Sequence, residues 1–189
     1  MTSLDKFVLD ARSYQTTASQ ATQQNLEQMR RDVYDSHRHR VFSLAYYMTH
    51  SETEAEQLLI QTFKRGFLSP SLPDGTTLDG LLLEELQRAD ILDSSLLQAE
   101  QHIRAEKVEC DAEMCHRGVR RTDLEEALQF LNPQQRFVFL LHDVEGYDLE
   151  QIATLLKISP EQSSKKVFHA RLAMRMALIK TKAQRSKLD

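Results

Sequence analysis

The chain has 189 residues, of which five are glycine and four are proline, and its formal net charge is −4. This length accommodates one or two small domains, and the low glycine and proline content with abundant Leu, Ala, Gln and Glu favours an all-α fold. Apolar runs are too short to cross a bilayer and the N-terminus lacks a signal-peptide core, so we expect a cytoplasmic protein without a membrane partner.

The first half of the chain predicts a helical domain over residues 27–95. Residues 1–26 are rich in Ser, Thr and Gln and predict a loose or partly helical N-terminal arm. Helical spacing then selects two stripes of apolar residues, which are Met29, Val33, Tyr34, Val41, Leu44, Ala45 and Met48, and after them Ala55, Leu58, Leu59 and Phe63. A loop is predicted over 68–77, and a leucine-rich helix over 78–97.

Residues 96–121 predict a charged linker that contains both cysteines. Cys110, Cys115 and His116 have a spacing that fits part of a zinc loop, but no second ligand pair is evident, so free thiols are the preferred interpretation. No phosphate loop, nucleophile motif or paired-histidine helix is present. We therefore expect neither catalysis nor a cofactor, metal or small-molecule substrate.

Residues 122–180 predict a second helical domain that contains a helix-turn-helix. Thr122 with Glu125 predicts the cap of its first helix, and Asn132 followed by Pro133 predicts the start of the next. Two capping boxes, Asp148 with Gln151 and Ser159 with Gln162, then predict two helices across a tight turn. This layout is typical of proteins that place the second helix in the major groove of DNA.

The C-terminal end of the chain is strongly basic. Nine Lys or Arg residues oppose one acid between residues 157 and 188, whereas eleven acids oppose three bases between 74 and 113. The basic end, including a tail over 181–189, suits a phosphate backbone, and a solvated charged surface is the alternative. The predicted DNA-binding residues are Gln162, Ser164, Lys165, Lys166, His169 and Arg171.

Two blocks of the sequence resemble the group IV, or extracytoplasmic function, sigma factors of bacterial RNA polymerase. Residues 34–67 resemble the polymerase-binding domain of this family, where a helix of the type Ala-Glu-Asp-Leu-Val-Gln-Glu-x-Phe stands as residues 55–63 here. Residues 131–178 resemble the domain that reads the upstream (−35) promoter element. The resemblance implies core RNA polymerase and double-stranded promoter DNA as partners, an anti-sigma protein as a regulator, and polymerase contacts by Glu56, Gln57 and Gln61.

The segment that follows the first block departs from the family pattern. The family reads the downstream (−10) element there with aromatic and basic residues, which hold unstacked bases. Residues 68–113 contain no aromatic residue, and Gly80 stands near a position where tryptophan is common in the family. We therefore predict weak opening of closed promoters. Two alternatives are a degenerate sigma-like regulator that binds polymerase or a partner without opening promoters, and a stand-alone helix-turn-helix regulator.

Overall fold

All regular secondary structure in the described residues is helical. The computed structural model describes residues 3–93 and 119–185, with side chains described over 23–93 and 119–181. The helices in chain order are α1 (Ser3–Thr49), α2 (Glu52–Gly66), α3 (Gly75–Arg88), α4 (Arg121–Phe130), α5 (Pro133–Phe139), α6 (Leu149–Leu156) and α7 (Pro160–Arg185). Neither described range contains a strand, and the prediction of an all-α fold with a C-terminal helix-turn-helix is confirmed.

The first helix is longer than the sequence analysis predicted. Residues 3–26, expected as a loose or partly helical arm, continue α1 in the structure. No glycine or proline occurs within the helix, and its Ala, Gln and Leu residues have high helix propensity, so nothing in the local sequence interrupts it. Leu26 and Met29 remain exposed, whereas Val41 and Leu44 are buried. The N-terminal part of α1 therefore extends beyond the packed core.

Helices α1, α2 and α3 pack together as an N-terminal group. The Ser51 hydroxyl accepts a hydrogen bond from the Glu54 N–H and caps α2, as predicted. The Tyr34 ring of α1 meets the Phe63 ring of α2 edge to face, with centroids 4.9 Å apart. The buried apolar residues of this group are Val41, Leu44, Ala45, Met48, Ala55, Leu58, Phe63, Leu78, Leu82, Leu83, Leu86 and Leu92.

Helix α3 begins earlier and ends earlier than the helix predicted over 78–97. The Asp74 carboxylate accepts a hydrogen bond from the Thr77 N–H at 2.7 Å, which fixes the start of the helix at Gly75 inside the predicted loop. The helix ends at Arg88, and Asp90 adopts a left-handed backbone with φ of 57°. Residues 94–97 of the prediction lie outside the described residues, as do Cys110, Cys115 and His116.

Helices α4 to α7 form a C-terminal group, in which α7 packs against α4, α5 and α6. The predicted cap by Thr122 and Glu125 is wrong, because α4 begins at Arg121 and the Asp123 carboxylate accepts from the Arg120 N–H at 2.7 Å. The predicted cap at Asn132 is confirmed by its bond from the Gln135 N–H at 2.9 Å. A π-helical turn over Leu140–Val144 extends α5.

The two groups touch each other in the structure, although the sequence analysis predicted separate domains. α5 packs near the end of α1, and α6 packs against α3. The predicted limits 27–95, 96–121 and 122–180 stay predictions, since much of the linker lies outside the described residues. Over the ranges described, no helix has the length and apolar character that crossing a membrane requires.

Candidate nucleic-acid interface

Side-chain capping boxes begin both helices of the predicted helix-turn-helix. The Asp148 carboxylate accepts from the Gln151 N–H at 2.7 Å, and the Gln151 side chain accepts from the Asp148 N–H at 2.9 Å. Lys157 then ends α6 in a left-handed conformation with φ of 55°. Ser159 and Gln162 form a second reciprocal box that opens α7. Both predicted capping boxes are confirmed, and only residues 157–159 separate the two helices.

One side of α7 is buried in the core of the C-terminal group. Its buried residues recur at helical spacing and are Ser163, Val167, Ala170, Met174 and Ala177. They pack with α4, α5 and the buried residues of α6, which include Ile152 and Leu156. This packing fixes the rotation of α7 about its own axis and determines which residues remain on the surface.

The opposite side of α7 presents a row of exposed residues spaced three or four apart. The row comprises Glu161, Ser164, Lys165, Phe168, Arg171 and Arg175. Phe168 is 64% exposed, and its ring centroid lies 5.9 Å from that of His169. The sequence analysis did not select Phe168; the available signal was an aromatic residue among the basic residues of the second helix. A surface of this composition offers cations for phosphates and an apolar group for a base edge.

The six predicted DNA-binding residues occupy different environments. Ser164 and Lys165 lie on the exposed row, and Lys165 pairs with Glu161 at 3.1 Å. The Gln162 side-chain oxygen is used in the capping box, where it accepts from the Ser159 N–H at 3.1 Å. Lys166 is half-buried beside the core stripe, and burial lowers the pKa of its ammonium group. His169 is half-buried beside Phe168.

Arg171, the sixth predicted residue, is held by a carboxylate of the preceding helices. Its guanidinium group makes a bidentate pair with Asp143 in the π-helical turn, with N–O distances of 2.6 to 3.1 Å. Hydrogen bonding to Asp143 raises the pKa of Arg171. The pair fixes the orientation of the guanidinium group, and a DNA phosphate at this position must compete with the Asp143 carboxylate.

The three residues predicted to bind polymerase share the exposed side of α2. Glu56, Gln57 and Gln61 are all exposed, and Ile60 lies between Glu56 and Gln57 around the helix with 60% of its surface exposed. Gln57 and Gln61 also line a groove of about 500 Å³ between α2 and α3. Ile60 is thus an apolar side chain within an otherwise polar exposed side of α2.

The aromatic and basic side chains near the end of α2, which could hold unstacked bases, already contact other residues of the protein. Phe63 is buried in the core, and Phe67 is half-buried with the Arg30 guanidinium group 5.9 Å from its ring centre. The Arg65 guanidinium group pairs with Glu84 and with Glu85 of α3. The structure therefore brings acids, rather than exposed aromatic residues, to Arg65 in the last turn of α2.

The described residues contain no group of three or more His, Cys, Asp or Glu side chains that could hold a metal ion. Residues 121–174 match the sequence family described as Sigma-70, region 4. This range extends from the first residue of α4 to Met174 of α7 and contains the complete helix-turn-helix. Residues 121–174 of the chain therefore belong to the sigma-70 region 4 family.

A solved sigma factor structure has a similar fold over most of the chain. The solved structure of the sigma factor RpoE in complex with the anti-sigma factor NepR from Bartonella quintana is similar, with a TM-score of 0.57 and 17% sequence identity. The match covers 78% of this chain and 95% of that chain. No curated protein sequence matches the chain significantly. Since the structural match extends far beyond region 4, the sigma-like architecture includes the N-terminal group.

Proposed function

We propose that the chain is a transcription initiation factor that binds core RNA polymerase through α2 and duplex promoter DNA through α7. The observation that carries this proposal is the region 4 match, which coincides with a helix-turn-helix whose second helix has an exposed cationic row. Lys and Arg residues on such a row release counterions from the phosphate backbone. The role requires no catalytic group in the chain.

The residues on and beside the exposed row are proposed to make two kinds of contact with DNA, to phosphates and to base edges. Lys165, Lys166 and Arg171 are the proposed phosphate contacts, and His169 lies beside them. Ser164 is the proposed base-edge contact, together with Gln162, whose amide NH₂ can donate to a base because only its oxygen is used in the capping box. Phosphate contacts set the position of the helix on the duplex, and base-edge contacts provide sequence preference.

The proposed polymerase contact is the exposed side of α2, with Glu56, Gln57 and Gln61 around Ile60. A Glu56→Lys variant reverses a charge on this surface without touching the core, so we expect weaker co-purification with core polymerase. Glu150→Lys is the matched control, because Glu150 is an exposed glutamate on α6. Equal binding by the two variants and the unchanged protein would contradict the assignment of this surface.

A second candidate function is supported by the contacts of the residues near the end of α2. A factor that opens promoters must capture unstacked bases on aromatic or cationic side chains. Phe63 is buried, and Arg65 is neutralised by Glu84 and Glu85. These contacts favour a sigma-like regulator that binds polymerase without opening promoters. The stand-alone helix-turn-helix alternative is less well supported, because the sigma-like fold extends over both groups.

Run-off transcription with core polymerase separates the two candidates. Two templates with the same promoter are compared, one fully paired and one with a premelted bubble. We expect transcripts from the premelted template and weak or absent transcripts from the paired one. Strong transcription from paired linear DNA would refute the regulator, whereas binding to polymerase without transcription from either template would establish it. An anti-sigma partner and a cytoplasmic location remain proposals for this chain.

A further inference from the structure

The first half of α1 extends beyond the packed core of the N-terminal group. The helix runs from Ser3 to Thr49, and its second half supplies buried core residues such as Val41. Before that half, Leu26 is 41% exposed and Met29 is 47% exposed. A helix without tertiary packing is marginal in water, because most helical stability in proteins comes from burial of an apolar face. The described residues therefore leave an apolar face of α1 partly uncovered.

The sequence continues the face of Leu26 and Met29 towards the start of α1. At 3.6 residues per turn, eight positions spaced three or four apart fall within about 80° of one another around the helix. They are Leu4, Val8, Ala11, Gln15, Ala18, Thr22, Leu26 and Met29, and six of the eight are apolar. These eight positions are called the seam below. The seam is about 38 Å long, and it ends one turn before Val33, which packs against the core.

The charge of residues 1–26 indicates which kind of partner fits the seam. This segment contains two acids, Asp5 and Asp10, and two bases, Lys6 and Arg12. A helix that lies on a membrane surface has a polar face rich in Lys and Arg, and a nucleic-acid ligand also requires an excess of cations. Residues 1–26 have no such excess. An apolar seam on a helix segment without net charge instead fits an identical helix, because two copies gain burial without mutual repulsion.

An antiparallel arrangement matches the seam with itself. When two seams are centred on each other, residues whose numbers have the same sum as 4 and 29 lie at the same height along the pair. Leu4 then lies level with Met29 of the other copy, and Val8 lies within one residue of the level of Leu26. Small residues such as Ala18 occupy the middle of the seam, where they permit a close approach of the two helices. The apolar positions near each end of one seam thus meet apolar positions of the other.

Charged positions beside the seam favour the same orientation. Asp5 and Arg30 lie about 20° apart around the helix, on one edge of the seam. The antiparallel pairing brings Asp5 of one copy to nearly the same height as Arg30 of the other. Phe67 holds Arg30 in place, because its carbonyl accepts from Arg30 Nη2 at 3.2 Å and its ring centre lies 5.9 Å from the guanidinium group. A parallel pair would keep the two charges about 38 Å apart along the axis.

We propose that the first half of α1 is a self-association surface, through which two copies of the chain form an antiparallel helix pair. Each copy covers Leu26 and Met29 of the other with its own Leu4 and Val8. The interface is isologous, so every contact occurs twice. The pairing requires neither polymerase nor DNA, and the proposal is therefore independent of the proposed function.

Sedimentation equilibrium of the full chain over a concentration series tests the dimer, in a reducing buffer that keeps Cys110 and Cys115 as thiols. Leu26→Glu removes an apolar side chain and adds a charge twice per dimer, so the dissociation constant should rise about a hundredfold or more. Gln24→Glu is the matched control, because it adds the same charge at an exposed position on the opposite side of α1 and should dimerise like the parent protein. A parent protein that is monomeric up to about 0.1 mM, or equal dissociation constants for the two variants, would overturn the proposal.

An exchange of charges tests the orientation of the two helices. Asp5→Arg and Arg30→Asp each place like charges together twice per dimer, and each should weaken dimerisation about tenfold. The double variant restores opposite charges and should recover most of that loss. Circular dichroism establishes that Arg30→Asp, which also loses its contact with Phe67, retains its helices. Losses that multiply in the double variant would overturn the antiparallel pairing, since the two positions would then act separately.

Discussion

Phe168 is a large apolar residue on the exposed row of α7. A phenylalanine with 64% of its surface exposed loses little apolar burial when truncated, so its replacement should leave folding stability nearly unchanged. On a recognition helix the same ring can contact the methyl group of thymine. Phe168 therefore fits a specificity role better than a packing role.

We expect Phe168→Ala to reduce discrimination between thymine and uracil at one position of the promoter duplex. Binding is compared for duplexes in which each thymine in turn is replaced by uracil, which removes only the methyl group. Loss of this methyl contact should reduce the discrimination by about 0.8 kcal/mol, the free energy of burying one CH₂ group. Phe130→Ala is the control, since Phe130 is 57% exposed on α4, outside the recognition helix. Unchanged discrimination in Phe168→Ala would argue against the assigned contact.

His50, at the junction of the two groups, makes the free energy of unfolding depend on pH. Arg136 Nη1 lies 3.3 Å from His50 Nδ1, and burial, followed by the positive charge of Arg136, lowers the pKa of His50 from 6.5. The folded state therefore favours neutral imidazole. Because the unfolded chain binds more protons, the contribution of His50 to stability is present above pH 6.5 and is lost as the pH falls through 6.5 to the lowered value.

This pH dependence is measured by chemical unfolding between pH 7.5 and about 5, a window chosen around the ordinary histidine pKa. The free energy of unfolding should decrease on acidification, and His50→Gln should flatten that decrease because glutamine does not titrate. Identical slopes for the two proteins would show that other groups dominate this range.

At the scale of single elements, α6 depends on its N-terminal cap. The helix is only eight residues long, and a helix of that length is marginal without caps and tertiary packing. Asp148 accepts from the Gln151 N–H, and the Asp148 N–H is satisfied by Gln151 in return. The orientation of α7 depends on the core that α6 helps to build, so this local bond also supports the position of the exposed row.

We expect Asp148→Ala to lower the free energy of unfolding by about 1 kcal/mol, the usual cost of losing such a cap. Glu150→Ala, a substitution at an exposed position on the same helix, should change it much less. Urea unfolding followed by circular dichroism provides the comparison. A loss as large in Glu150→Ala as in Asp148→Ala would indicate that the capping bond is not the cause.

At the scale of the whole molecule, Arg136 connects the two groups through backbone carbonyls. Its guanidinium group donates to Leu128, Gln129 and Leu131 near the end of α4, and also to Met48 near the end of α1. A lysine ammonium group is a compact point charge and cannot reproduce this planar array of donors. Substitution leaves several carbonyl oxygens at helix ends without a donor.

Arg136→Lys should therefore lower the free energy of unfolding by about 2 to 4 kcal/mol, because buried acceptors lose charged partners. Arg38→Lys on α1 is the matched control, since Arg38 is largely exposed and pairs with an exposed aspartate at 3.6 Å. The measurement is urea unfolding of both variants at neutral pH. A loss below about 1 kcal/mol for Arg136→Lys, within the range of a surface pair, would contradict the structural role.

The sequence alone was sufficient to predict the helical fold, the helix-turn-helix and the resemblance of residues 131–178 to a sigma factor domain, which the region 4 match over residues 121–174 supports. The capping signals at Ser51, Asn132, Asp148 and Ser159 were readable because donor and acceptor lie three residues apart, within the range of a local pattern. The apolar stripes of α1 and α2 were readable for the same reason, since one helical face repeats every three or four residues. The cap of α4 was predicted incorrectly, because its N-cap is Arg120, which is not a preferred capping residue, and the Asp123 carboxylate accepts from the Arg120 N–H.

Only the tertiary structure decided how these elements meet. Tyr147 and Asp79 are 68 residues apart in the chain, and Arg136 and Met48 are 88 apart, so no periodicity or spacing connects them. An aspartate within a leucine-rich helix is normally assigned to the surface, yet Asp79 is fully buried because Arg40 and Tyr147 supply its donors. Similarly, the basic residues of α7 were visible in the sequence. Which of them lie on the exposed row depended on the packing of Val167, Ala170 and Met174 against the neighbouring helices. Local hydrogen bonds leave a local pattern in the sequence, whereas long-range contacts depend on how complete helices pack.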